Sequence, residues 1–92
     1  MRERDVEKYL VERVERLQGR ADKFVSPGLN GVPDRLVKLP LWPAFLVELK
    51  KPGEPLKAHQ VEVHKDMRKA GWDIYVVDTI EGVDDLLKGY LL

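Results

Sequence analysis

Residues 44–50, Ala-Phe-Leu-Val-Glu-Leu-Lys, constrain the fold more than any other stretch of the chain. The run is apolar enough to be a central strand with both faces covered, so helices must lie over the sheet that contains it. Upstream, Asp34–Leu39 reads as a second strand. Between the two sits Pro40-Leu41-Trp42-Pro43, whose prolines interrupt pairing and predict a four-residue hairpin loop. In that register Leu39 faces Ala44, and Asp34 faces Leu49, one residue from Glu48.

The rest of the chain supplies the covering layers. Residues 3–18 predict an amphipathic helix, with Val6, Leu10, Val14 and Leu17 at helical spacing and Gly19 as its stop. Lys23–Ser26 is a short strand candidate, closed by the turn-rich Pro27-Gly28-Leu29-Asn30-Gly31. After the loop Lys51-Pro52-Gly53-Glu54-Pro55, a helix over Leu56–Ala70 turns Leu56, Val63, Met67 and Ala70 inward and ends at Gly71. Asp73–Asp78 is a buried-type strand, and Gly82–Leu91 a closing helix. The expected fold is therefore α/β in the broad sense (α+β mixed): one domain over residues 1–92, ordered α-β-β-β-α-β-α, its mixed central sheet flanked by helices.

Functional polar groups often stand where packing calls for apolar ones. Strand alternation puts Leu46, Glu48 and Lys50 on one face, so an acid and a base share a semi-buried surface. The competing explanation is an edge strand with a solvated Glu/Lys pair. Asp34 begins one strand where Glu48 nears the end of its neighbour. It can simply cap a turn after Pro33, but two adjacent carboxylates repel unless a cation joins them. Glu3 falls near the middle of the first helix's apolar stripe, with Glu7 at its margin and a competitor for the same role. Glu3 can equally be a first-turn residue favouring the helix dipole. Gln60, four residues after Leu56, sits on the inward stripe of the second long helix and needs buried partners.

Two carboxylates with a backbone carbonyl near a strand end make a hard oxygen site suited to Mg²⁺ or Mn²⁺. A lysine on the same face can hold a water or offset charge building on a phosphate, which makes a phosphodiester the natural substrate.

The same residues resemble a known family. Gly31-Val32-Pro33-Asp34, then Glu48-Leu49-Lys50 fourteen residues after the Asp, then Gln60, are similar to the PD-(D/E)XK nuclease superfamily. Within it they resemble the virus-type replication-repair nuclease (VRR-NUC) domain, with Ser26-Pro27-Gly28 upstream of the Asp and Val47-Glu48-Leu49-Lys50-Lys51-Pro52-Gly53 around the Glu. The resemblance covers nearly the whole chain and implies a restriction-endonuclease-like core. It implies that Asp34, Glu48 and the Leu49 carbonyl ligate Mg²⁺, for which Mn²⁺ can substitute, with Glu3 approaching directly or through water. Lys50 would be the catalytic lysine, and Gln60 the glutamine that steadies the site.

The activity so implied is a metal-dependent, structure-selective DNA endonuclease in replication, recombination or repair. Its expected substrate is branched DNA, above all four-way (Holliday) junctions cut by a homodimer. The alternatives are a monomeric flap-type nuclease, a sequence-specific restriction enzyme, and a DNA-binding module without catalysis. The apolar residues Leu86, Leu87, Tyr90, Leu91 and Leu92 are one candidate dimer interface. Lys23, Arg35, Lys51 and Lys57 flank the site and are candidate phosphate contacts, or else solvated charges. Trp42 either stacks on bases, joins a dimer contact or packs back on its own sheet. His59 and His64, five residues apart, do not share a helical face and read as ordinary histidines.

Composition agrees and excludes other classes. There are no cysteines, so neither disulfides nor thiolate zinc sites are expected. The charged N-terminus is not a secretory signal, and no apolar run approaches the roughly 18 residues a membrane span needs. An intracellular, cytoplasmic protein of a bacterium or phage-infected cell is expected, with no membrane partner and no organic cofactor. Net charge is zero, which argues weakly against nucleic acid. Residues 1–72, however, carry 15 Lys/Arg against 11 Asp/Glu, and the acidic excess is confined to residues 73–92.

Overall fold

The computed structural model describes residues 1–90, and its elements follow the expected order. They are α1 (Glu3–Arg16), β1 (Arg20–Lys23), β2 (Arg35–Lys38), β3 (Phe45–Leu49), α2 (Ala58–Lys69), β4 (Ile74–Val77) and α3 (Ile80–Lys88). The strands form one sheet in the order β1-β2-β3-β4. The first two pairings are antiparallel, and β3 pairs with β4 in parallel after crossing over through α2.

All five residues of β3 are buried, as a strand covered on both faces requires. One sheet face, with Ala21, Val37, Phe45, Val47, Leu49 and Val77, packs against Val6, Leu10 and Val14 of α1 and Val83 and Leu87 of α3. Phe45 stacks on Tyr90, with ring centroids 5.1 Å apart, and meets Tyr75 edge-on. Outside this core, Asp84 of α3 accepts hydrogen bonds from Tyr9 and Arg13 of α1, tying the two helices together.

The opposite face, with Leu46, Glu48 and Ile74, lies under α2. Arg68 of that helix donates to the Ile74 carbonyl, and Gln60 and His64 approach Glu48. Here the expected apolar stripe gives way. Val63 and Met67 are half-buried, Ala70 is exposed, Leu56 precedes the helix, and His64 is the fully buried residue of α2. A helix lying over Glu48 and Lys50 is asked for polar partners, so its inward line runs through Gln60 and His64 instead.

Two further expectations shift. The first hairpin strand is Arg20–Lys23 rather than Lys23–Ser26. Gly19 carries the chain straight into the sheet, where an added Cβ would stand 2.5 Å from the Lys38 carbonyl oxygen. Gln18, at φ 67°, takes the left-handed position that ends α1. The β2–β3 register also differs by one residue: Val37 pairs with Phe45, and Arg35 with Val47. Trp42 N–H donates to the Leu39 carbonyl around Pro40 and a left-handed Leu41 (φ 69°), a type II pattern that lengthens the connection. The slip matters, because side chains alternate: it continues Asp34 to the position facing Glu48 and places both on the same face.

The apolar side of α3 turns inward. Leu87 is fully buried, while Leu86 and Tyr90 pack against the core, so these residues do not form the exposed patch expected of a dimer interface. Leu91 and Leu92, assigned to the same patch, lie outside the described residues. Trp42 packs back onto Tyr90 edge-on at 5.1 Å.

Candidate active site

Asp34 is positioned by the end of the hairpin. Its backbone carbonyl accepts from Phe24 N–H, and its side-chain Oδ2 accepts from Leu49 N–H at 2.8 Å. The carboxylate is thereby locked to the last residue of β3. Glu48, only 2% exposed, is the penultimate residue of that strand. Glu3 reaches the same point from the first turn of α1. One carboxylate oxygen from each of Glu3, Asp34 and Glu48 lies within 4.8 Å of the others. Glu7, the competitor on α1, is instead bonded to Arg35 at 2.9 Å, which leaves Glu3 as the helix's acid in the cluster.

Gln60 shows how the helix above is used. Its Oε1 accepts from Lys57 N–H at 2.9 Å at the start of α2, and this turns its amide nitrogen toward Glu48 Oε2, 3.1 Å away. Lys50, 4% exposed, holds its Nζ 3.8 Å from Glu48 Oε2 and 3.9 Å from Glu54 Oε1. Its main chain is pinned through Lys50 N–H to the Val77 carbonyl. The following loop is pinned in turn by Gly53 N–H donating to Asp78 Oδ2.

The electrostatics are those of crowded, partly buried acids with Lys50 as the neighbouring cation. Burial, and next the charge of Asp34, push the Glu48 carboxyl up to about 8 against an opposing pull from Lys50. Burial also raises Asp34, despite the Leu49 N–H that favours its ionised form. Glu3, though exposed, is raised as well by partial desolvation and by Asp34. Burial is the largest cause of all three shifts, and neighbouring carboxylates add to it: Asp34 at Glu48 and at Glu3, and Glu7 at Asp34. A divalent cation would relieve all three at once. The donor set is all oxygen, and one buried oxygen, Glu48 Oε1, has no hydrogen-bond partner. The residues therefore fit a hard metal ion.

The candidate phosphate contacts divide. Lys23, Lys51 and Lys57 are exposed. Arg35 is not free: it donates to Glu7 and to the Ala21 carbonyl, and its side chain is mostly buried. Sequence reasoning set His64 aside as ordinary, by measuring its spacing from His59. The informative spacing was to Gln60, one helical turn earlier. His64 is fully buried with Nε2 3.7 Å from Glu48 Oε1, and burial followed by the charge of Arg68 keeps its pKa low. Glu54, beside Lys50, also went unnoticed, since a loop glutamate after Pro-Gly carries no pattern.

No family model matches the chain. It is 44% identical over 79 residues to "Putative nuclease p44" of Acyrthosiphon pisum secondary endosymbiont phage 1, spanning 86% of this chain and 85% of that protein. It also superposes on a solved structure titled "VRR_NUC domain" with TM-score 0.87 and 37% identity, covering 97% of each chain. The chain is a VRR-NUC nuclease domain. The expected mixed-sheet, restriction-endonuclease-like architecture of the VRR-NUC fold is thus present in full. Among the described residues no helix is long and apolar enough to cross a membrane.

Proposed function

We propose that this VRR-NUC domain is a Mg²⁺-dependent endonuclease, also served by Mn²⁺, that hydrolyses phosphodiester bonds in branched DNA. The observation that carries the reading is the convergence of Glu3, Asp34 and Glu48 within 4.8 Å, with the Lys50 ammonium beside Glu48. Asp34 and Glu48 would hold the ion with the Leu49 carbonyl, and Glu3 would approach it directly or through water. When bound, the ion acidifies a water and stabilises charge on the scissile phosphate.

The protein's own groups supply the rest. Lys50, extended from a pinned main chain, offers an ammonium that can hydrogen-bond the attacking water or a phosphate oxygen. Gln60 keeps the Glu48 carboxylate from rotating. Exposed Lys23, Lys51 and Lys57 provide sequence-independent phosphate contacts. The described residues offer no separate element for reading base edges, which favours recognition of DNA shape.

In the fuller form of the proposal, a homodimer nicks four-way junctions in pairs within an infected or bacterial cell. With α3 packed inward, the interface in this reading is the open edge at β4, where Tyr75 and Val76 are exposed and Trp72 precedes the strand. The same packing of α3 supports a second reading, a monomer that cuts flaps. Cleavage of junction, flap and linear duplex substrates, measured with solution mass, decides between them. Junction cleavage by a protein of twice the chain mass supports the first reading, and flap cleavage by a monomer the second. No cleavage of any substrate with Mg²⁺ or Mn²⁺ leaves the non-catalytic DNA-binding module.

A further inference from the structure

Three buried side-chain atoms lack any hydrogen-bond partner among the described residues: Glu48 Oε1, His64 Nδ1 and His64 Nε2. Two of them face each other, with Nε2 3.7 Å from Oε1. Buried polar groups are ordinarily paired, and an apolar side chain would fill this place under α2 without the penalty. An imidazole kept there points to a role toward the carboxylate it faces. Glu48 is otherwise gripped from one side: Oε2 accepts from Gln60 at 3.1 Å and lies near Lys50, while Oε1 is unheld. Gln60 and His64 are one turn apart on the same rigid helix, so they act on the two oxygens together.

We propose that His64 is a positioning residue, whose Nε2–H donates to Glu48 Oε1 and, with Gln60, fixes the carboxylate plane in the orientation that ligates a divalent cation. This rests on the metal-nuclease reading above. His64 is not itself among the acids that converge; it approaches Glu48 from the helix side. Groups that orient a ligand in this way commonly alter metal affinity by 10–100-fold when removed.

The experiment is calorimetric titration of Mn²⁺, without DNA, into the full chain as wild type, His64→Phe, His64→Gln and His64→Asn. Urea midpoints in EDTA report folding. We expect His64→Phe to bind Mn²⁺ about 10–100-fold more weakly with an EDTA midpoint no lower than wild type. His64→Gln, whose amide nitrogen reaches the place of Nε2, should keep most of the affinity. His64→Asn, whose amide corresponds to Nδ1, should behave like the phenylalanine variant. Wild-type affinity in His64→Phe overturns the proposal, as does equal binding by the Gln and Asn variants. If His64→Phe does not fold, the Gln–Asn contrast decides alone. A wild type that binds no Mn²⁺ overturns the metal reading and this inference with it, a result separate from one in which wild type and His64→Phe bind alike.

Discussion

Replacing Glu48 by glutamine should make the metal-free protein more stable while abolishing its activity. In the fold the Glu48 carboxyl is raised from 4.5 to about 8, chiefly by burial and by Asp34. A raised carboxyl means that the stability associated with its protonated form is fully present below the unfolded value of 4.5. That stability is lost as pH climbs through about 8. At roughly 1.4 kcal/mol per pH unit, the ionised group would destabilise the apo fold by up to about 5 kcal/mol above pH 9. Asp34 can hold the shared proton in its place, and side chains relax, so about 2–3 kcal/mol is the expected gain for Glu48→Gln. The glutamine oxygen can still accept from Gln60, and its amide nitrogen, at the place of Oε1, can donate to Nε2 of His64 once that neutral imidazole carries its proton on Nδ1. In a domain this size the gain corresponds to a rise of roughly 10–20 °C in Tm.

The assay is urea or thermal unfolding of both proteins in EDTA at pH 5 and pH 9. The variant should exceed wild type at pH 9 and fall within about 1 kcal/mol of it at pH 5, where both side chains are neutral in the fold and only the unfolded glutamate is largely ionised. Adding Mn²⁺ should stabilise wild type and leave the variant unmoved. A Glu48→Gln protein less stable than wild type at pH 9, or a gap that ignores pH, would falsify the account of a strained acidic cluster.

Other perturbations separate the roles of neighbouring groups. Lys50→Ala should lower single-turnover cleavage by about 10²–10⁴-fold while DNA affinity changes little, and an unchanged rate would remove Lys50 from the chemistry. Lys51→Ala should reduce the slope of log affinity against log salt by about one, whereas Arg35→Ala should leave the slope alone and lower the unfolding free energy. Gly31→Ala should destabilise by about 1–3 kcal/mol in urea titrations. That backbone is at φ +95°, and a Cβ would press on the His59 carbonyl and Val63 at 3.1–3.2 Å. Phe45→Ala, which removes the ring packed on Tyr75 and Tyr90, should cost about 3–5 kcal/mol by the same measurement.

The architecture was legible because the strands and first helix announce themselves by periodicity. The β3 run has no solvent face, and Val6, Leu10 and Val14 fall on one stripe that packing then uses. The register was not, since it depends on how Pro40 and Leu41 turn, and a left-handed leucine has no sequence signature. Asp34, Glu48, Lys50 and Gln60 were found as polar residues at positions that packing would have made apolar. His64 breaks the same rule and was set aside because its spacing was measured from His59 rather than from Gln60, one turn earlier on the same helix. Arg35 followed the converse error: a charge next to the acid motif suggested phosphate, yet strand alternation sends it to the α1 side, where Glu7 waits.

Gln60 couples two events usually treated separately. One side chain accepts the Lys57 N–H that begins α2 and donates to the carboxylate below it. Fraying of that first turn therefore releases Glu48, and reorganisation at Glu48 tugs on the end of the helix. Amide exchange at the start of α2 should slow when Mn²⁺ is added, as hydrogen exchange with and without the ion would read. In this domain the ordering of one helical turn and the orientation of Glu48 depend on the same side chain.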